Sequence, residues 1–322
     1  MKTILPGIAL LLPLLAVLAV VALLAFNAWT ARRVTAVLPP PGQFIDIDGA
    51  RLHYVDQGAG PAIVMVHGLG GQTRNFSHSL LQRLSGQYRV ILLDRPGSGY
   101  SSRPSGMAAD LSVQSAVVTR FIRALGLERP LLVGHSFGGA VALGVALDHP
   151  EVIAGLALIA PLTHPMENPP PSMRALAIHS VAKRWLVAWT LAIPFSIRHR
   201  RRMLNAVFSP DLPPRDFATA GGGLLGLRPA AFFATSSDML AASAGLPALA
   251  ARYRALAVPV RVLFGKQDAV LDYQAHGVAL KSASPAVELT LVDGGHMLPV
   301  SAPDHTATWI AAAFDGRAAM RA

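Results

Sequence analysis

From residue 44 onward, short apolar runs of strand length alternate with longer helix-like stretches, and that alternation restricts the fold more than any other feature of the chain. The runs are Ala62–Val66, Arg89–Leu93, Leu131–Val133, Ala157–Ile159, Val258–Phe264 and Val287–Val292. Between and after them, Leu111–Leu125, Phe137–Leu147 and Ala302–Phe314 have the length and composition of helices. A strand that returns through a helix lies parallel to its predecessor, and the returning helices cover the faces of the sheet. The expected fold class is therefore α/β, a mostly parallel central sheet with helices on both faces. Phe44–Val55, turning at Asp48-Gly49, reads as a hairpin leading into that sheet.

The alternation stops between Pro161 and about Leu256, where apolar-periodic helical segments are split by proline and glycine and no strand is evident. Helices inserted between two core strands read as a cap over one edge of the sheet. Gly221-Gly222-Gly223 in this stretch follows no strand and lacks the G-x-G-x-x-G spacing, so it is a flexible break and not a phosphate loop. No internal repeat is visible.

The N-terminus is of a different kind. No charge occurs from Thr3 to Ala31, and Ile4 to Phe26 is almost wholly Leu, Ala, Val and Ile. About 20 apolar residues cross a bilayer core. Lys2 precedes the run, Arg32 and Arg33 follow it, and Trp29 has the place of an interfacial aromatic. The run exceeds a signal peptide's apolar region, and Ala25-Phe26-Asn27-Ala28-Trp29 offers no A-x-A cleavage site, so an uncleaved single-pass anchor is expected. The flanking charges are too balanced to choose a side of the membrane. The expected organisation is an anchor over 1–31 and a linker over 32–43 containing Pro39-Pro40-Pro41-Gly42. The core follows over 44–161, then a helical cap over 162–256, then the rest of the core over 257–322.

Composition excludes several classes. A chain that is 52% hydrophobic is not disordered, and one without cysteine has no disulfide scaffold, iron–sulfur cluster or catalytic thiol. The net charge of +10 raises nucleic acid as a partner. Its location argues otherwise: residues 1–40 hold three basic and no acidic residues, and 162–256 hold eleven basic against four acidic. The remaining core is neutral. The dense run Ser196-Ile197-Arg198-His199-Arg200-Arg201-Arg202 lacks interleaved aromatics and any nucleic-acid module, and reads as a solvated helix face or a surface for anionic lipid. No nucleic-acid partner is expected.

One constellation carries chemistry. Gly134-His135-Ser136-Phe137-Gly138 is a G-x-S-x-G pattern directly after a short apolar strand and before a helix. A nucleophile on a strand-to-helix turn needs a strained backbone, and glycines at 134 and 138 remove the side chains that would collide across it. Ala241-Ala242-Ser243-Ala244-Gly245 is nearly the same pattern but follows no strand, so Ser243 reads as structural. A serine hydroxyl needs a base, and a histidine base needs a carboxylate to fix its tautomer. Asp268 follows the strand Val258–Phe264, and His296 follows Val287–Val292; in a parallel sheet both sit at the edge that carries Ser136. Asp272, four residues on, is a rival to Asp268 that falls at the start of a helix.

These residues resemble the α/β-hydrolase family. Further matching pieces are His67-Gly68-Leu69-Gly70-Gly71, Asp94-Arg95-Pro96-Gly97-Ser98-Gly99-Tyr100-Ser101, His149-Pro150-Glu151-Val152 and Gly295-His296-Met297-Leu298-Pro299. The resemblance spans about Phe44 to Phe314 apart from the cap. It implies Ser136 as nucleophile, His296 as base and Asp268 as its partner, with the backbone N–H groups of Leu69 and Phe137 as the oxyanion hole. Gly134, His135, Gly138, His67 and Gly68 would support the turn and the loop, and Asp94 and Arg95 would pin the turn after the fourth strand.

The remaining histidines, His53, His78, His164, His179, His199, His276 and His305, show no metal spacing, and neither a metal nor a cofactor is expected. Serine at the elbow, where aspartate would point to epoxide hydrolysis or dehalogenation, implies acyl transfer to water. The expected activity is hydrolysis of a small-molecule carboxylic ester, lipid-like given the anchor and the apolar cap residues Trp185, Leu186, Val187, Trp189, Leu191 and Phe195. Carbon–carbon bond hydrolysis or cofactor-free perhydrolysis on the same residues, or a silent lipid-binding scaffold, are the alternatives. Oligomeric state is not legible.

Overall fold

The computed structural model describes residues 5–166 and 171–319; Lys2, Thr3 and Ile4 of the expected anchor and residues 167–170 of the expected cap lie outside the described residues. In chain order the longer elements are α1 (Leu5–Val37), β1 (Gln43–Ile47), β2 (Ala50–Gln57), β3 (Ala62–Val66), β4 (Arg89–Leu93), α2 (Leu111–Ala124), β5 (Leu131–His135), α3 (Phe137–Asp148) and β6 (Gly155–Ile159). Then follow α4 (Val181–Trp189), α5 (Ala192–Phe208), α6 (Pro229–Ala250), β7 (Val260–Gly265), β8 (Val287–Val292) and α7 (Pro303–Ala319), with short turns between.

The eight strands form one sheet in the order β1-β2-β4-β3-β5-β6-β7-β8. The β1–β2 and β2–β4 pairings are antiparallel, and all others are parallel. Asp48 and Gly49 both have positive φ (53° and 79°), as a tight hairpin whose twist matches its strands requires. The period-two alternation of a pleated sheet sorts the core into two layers. Val64, Val66 and Leu132 face α2 and α3, with Phe121 and Val141. Ile63, Met65, Leu131 and Val133 face the opposite layer, with Phe76 and Ile310 of α7. Ten of the twelve α3 residues are buried, which explains why this helix has no polar face.

Between β6 and β7 the described residues form no strand; α4, α5 and α6 lie there. At the N-terminus the structure departs from the expected linker. Helix α1 continues through Arg32 and Arg33 to Val37, because nothing from Ala31 to Val37 breaks a helix and the next proline in the chain is Pro39. Its last turns are also held by packing, since Val34 and Leu38 are buried against Leu225. Among the described residues α1 is the one helix long and apolar enough to cross a membrane.

Candidate active site

Strand β5 ends at His135, helix α3 begins at Phe137, and Ser136 between them has φ 54° and ψ −119°. A residue with a Cβ avoids this region, so neighbours must hold it there. Ser136 N–H donates to Ile159 O (3.0 Å), and Ser136 O accepts from Gly139 N–H (2.9 Å) and Leu162 N–H (3.0 Å). The turn leaves no room for side chains on its flanks: a Cβ on Gly134 would lie 2.6 Å from Gly138 O, and one on Gly138 would lie 2.1 Å from Val66 O. Ser136 thus stands at the carboxyl end of the parallel strands.

The loops after β7 and β8 reach the same edge. Gln267 N–H donates to Gly294 O (3.0 Å), which ties the two loops together. His296 Nδ1 and Asp268 Oδ2 are 2.7 Å apart, and both side chains are buried. The other carboxylate oxygen, Oδ1, accepts from the N–H groups of Val270 (2.8 Å) and Leu271 (2.9 Å), so the carboxylate cannot rotate away from the ring. With its Nδ1 proton donated to Asp268, a neutral His296 presents Nε2 as an acceptor. Asp272 is engaged elsewhere, its Oδ1 accepting from Gln274 N–H (2.8 Å).

His135 and His67 flank the site, each ring held by a hydrogen bond to a backbone carbonyl. His135 Nε2 donates to His296 O (3.0 Å), and the two rings are 5.0 Å apart. Burial, reinforced by His296, pushes His135 down to about 3. His67 Nε2 accepts from Arg95 N–H (3.1 Å), so its Nδ1 carries the proton and donates to Gly68 O (2.8 Å). Burial and the Arg95 charge push His67 down to about 3 as well. Both rings are neutral props.

The loop after β3 passes close to the elbow. A Cβ on Gly68 would come within 3.0 Å of Ser136 Cβ. Next to it, Leu69 N–H has no acceptor among the described residues, and neither has Phe137 N–H, which opens α3. Two free donors beside a hydroxyl can receive an oxygen that gains negative charge. Arg95 holds this loop from below: its Nε donates to His67 O (3.1 Å), and its Nη2 donates to Gly68 O (3.0 Å). Its guanidinium lies 4.3 Å from the centre of the Phe137 ring. Asp94 braces the neighbouring turn by accepting from Thr73 N–H (2.7 Å), Tyr100 N–H (2.9 Å) and His53 Nδ1 (2.7 Å).

One member of this network had no place in the sequence reading. Asp238, on α6, accepts from Arg95 Nη1 at 2.6 Å and from Arg103 Nη2 at 2.5 Å. Its signal was present: Asp238 is the sole charged residue in the 22 residues of α6. A lone carboxylate in an otherwise uncharged helix needs a partner.

A cavity opens over Ser136, lined by Leu69, Phe137, Leu162, Met239 and Leu246 with Ser243 among them. Ser243 therefore stands at the site, but its hydroxyl donates to Met239 O (3.0 Å) within its own helix. The lining carries no charged side chain among the described residues.

A family model described as the alpha/beta hydrolase fold matches residues 61–303. The chain belongs to the α/β-hydrolase family. Family membership agrees with the eight-stranded, mostly parallel sheet and the expected fold class. Curated relatives within reach of sequence comparison include haloalkane dehalogenase 2 of Mycobacterium bovis, 32% identical over 121 residues, covering 37% of this chain and 42% of that protein. Another is the 2-hydroxy-6-oxo-6-phenylhexa-2,4-dienoate hydrolase of Comamonas testosteroni, 35% identical over 119 residues, covering 36% and 42%. The chain spans about two fifths of the length of each of these two α/β-hydrolase relatives. Among solved structures, a membrane phospholipase A described as a bacterial virulence factor matches with a TM-score of 0.68 at 24% identity, covering 98% of this chain and 99% of that one. That likeness extends over the full α/β-hydrolase fold.

Proposed function

We propose that this chain is a membrane-tethered serine hydrolase that cleaves carboxylic esters through an acyl-enzyme. The reading is carried by one observation, the backbone of Ser136 held at φ 54° on the sheet edge that also bears the His296–Asp268 pair. In this reading Ser136 Oγ attacks the ester carbonyl carbon while its proton passes to His296 Nε2. Asp268 holds the ring and balances the imidazolium charge. The carbonyl oxygen, now negative, is received by Leu69 N–H and Phe137 N–H. Collapse of the tetrahedral intermediate breaks the bond to the alcohol, which leaves with the proton from His296. Water then attacks the acyl-enzyme, gives its proton to His296, and releases the acid as Ser136 recovers its own.

The uncharged cavity favours an acyl chain as the group bound beside Ser136. Carbon–carbon hydrolysis on the same residues is the second reading, but a dienoate of the kind named for the Comamonas relative carries a carboxylate that no cation among the described lining residues meets. Tethering through α1 is supported by its length and apolarity and by the full-length likeness to a membrane phospholipase A. Residues 162–256 act as the cap over Ser136. The test is hydrolysis of nitrophenyl esters of rising chain length by the full chain in detergent, beside Ser136→Ala. Activity that rises with acyl length and is lost in the variant supports the reading. Equal activity in Ser136→Ala, or no ester cleaved at all, refutes it.

A further inference from the structure

Helix α1 does not leave the protein at the end of the expected anchor but along the surface of the cap. Among the described side chains the buried ones are Asn27, Thr30, Val34 and Leu38, a stripe at helical spacing along one side of the helix and the residue after it. Before Asn27 the described side chains from Leu11 to Phe26 are exposed or half-buried. Asn27 itself is 0% exposed, and its Nδ2 donates to Trp189 O (2.7 Å) and Thr190 O (2.9 Å), the last carbonyls of α4 and its cap. The helix therefore emerges from the folded body at Asn27, at the level of the corner between α4 and α5.

That level coincides with the edge of a bilayer. Leu5 to Phe26 is an apolar helical stretch whose rise, at about 1.5 Å per residue, matches a hydrocarbon core of about 30 Å. Just beyond it, Trp29 is exposed with the Arg33 guanidinium 5.7 Å from its ring, the pairing of an aromatic and a cation typical of a headgroup boundary. The α4–α5 corner shows the same character. Trp185 (48% exposed), Leu191 (58%) and Phe195 (56%) are large apolar side chains open to the outside, with Leu186 beside them. Trp185 is stacked on Trp189, ring centres 5.3 Å apart, and so stands within one side chain of the carbonyls that Asn27 holds. Farther along α5, Arg198, Arg200, Arg201 and Arg202 are exposed, and no acidic residue occurs from Val181 to Phe208.

We infer that the α4–α5 corner is a second membrane contact, seated in the headgroup–acyl boundary of an anionic leaflet beside the point where α1 enters it. The inference rests on the proposed reading of α1 as a bilayer span. Its occupant is lipid because the apolar corner is continuous with the span through Asn27, and because the uniformly basic face behind it complements anionic headgroups. The cap is thereby fastened to the bilayer at two places, through α1 and through the α4–α5 corner.

The test uses the full chain with Trp29→Phe and Trp309→Phe, which leaves Trp185 and Trp189 as the fluorophores. It is reconstituted into vesicles of phosphatidylcholine and phosphatidylglycerol whose acyl chains carry bromine either near the glycerol or near the chain end. The expected result is a loss of about half the intensity with bromine near the glycerol and a smaller loss with bromine near the chain end, as for a side chain at the boundary. Replacing Arg198, Arg200, Arg201 and Arg202 by Gln should reduce that quenching in the anionic vesicles. Equal fluorescence in brominated and plain vesicles overturns the inference, and so does a second copy of the chain covering the corner, which would leave the same equality. Extraction with alkaline carbonate reads the span separately. Protein that stays in the membrane without quenching refutes the second contact alone, and protein that washes off refutes the span and the contact with it.

Discussion

Asp238 Oδ2 lies 2.6 Å from Arg95 Nη1, and neither side chain has any exposed surface. The pair joins helix α6 to the loop under Ser136, because the same guanidinium holds the carbonyls of His67 and Gly68. Removing one partner of a buried pair leaves the other charge stranded, which costs about 3–5 kcal/mol. Asp238→Asn should therefore lower unfolding free energy by about that amount, measured by chemical denaturation in detergent. Arg83→Gln, which breaks the exposed pair with Asp304, should leave it essentially unchanged.

Gly68→Ala is expected to damage activity more than stability. The added methyl would sit 3.0 Å from Ser136 Cβ and 3.3 Å from His135 Nδ1, so the loop carrying Leu69 N–H must move. Displacing an oxyanion donor costs about 100-fold or more in kcat. Steady-state hydrolysis of a short soluble ester checks this, with a thermal melt to show that the fold persists.

The buried histidines make stability depend on pH. His67 and His135 are pushed down to about 3 and His276 to about 4, in each case first by burial. Unfolded, each takes up a proton around pH 6.5, so between there and the folded value the unfolded state holds more protons. Unfolding free energy should be intact above 6.5 and fall as the pH drops, by about 1.4 kcal/mol per pH unit for each histidine. For Asp94, burial would raise the carboxyl, but the His53 hydrogen bond and the charges around it hold it low. Its contribution is present above its unfolded value and is lost as the pH falls further. Denaturation curves at neutral pH and at successively lower values read the slope, and a flat profile would contradict the neutral state of these rings.

Ser243 offers control over the proposed acyl pocket. It lines the cavity from α6, and its hydroxyl bonds only within that helix. Ser243→Trp should fill the space for a chain while leaving Ser136 untouched. Each methylene deprived of its contact is worth about 0.8 kcal/mol, or about fourfold in rate. The ratio of long-chain to acetyl ester hydrolysis should fall accordingly.

The sheet and the order of Ser136, Asp268 and His296 were readable because they are written locally, as apolar runs with a distinctive loop after each. What was not readable is held by contacts far apart in the chain. Nothing near Asp238 announces Arg95, 143 positions away, and only its isolation in an uncharged helix gives it away. The end of α1 was missed for a similar reason. Arg32 and Arg33 look like the end of an anchor, whereas Val34 and Leu38 continue the packing onto Leu225, which no local pattern reveals. Ser243 was legible as a helix residue, but its place at the cavity depends on how α6 lies across the sheet edge.

In the proposed reaction Ser136 is an activated nucleophile. Treating the full chain in detergent with a fluorophosphonate and mapping the adduct by peptide mass spectrometry tests it directly. The expected result is a single modified peptide with the adduct on Ser136, absent from Ser136→Ala and strongly reduced in His296→Ala. An unmodified wild-type chain, or an adduct on any other residue, would contradict it.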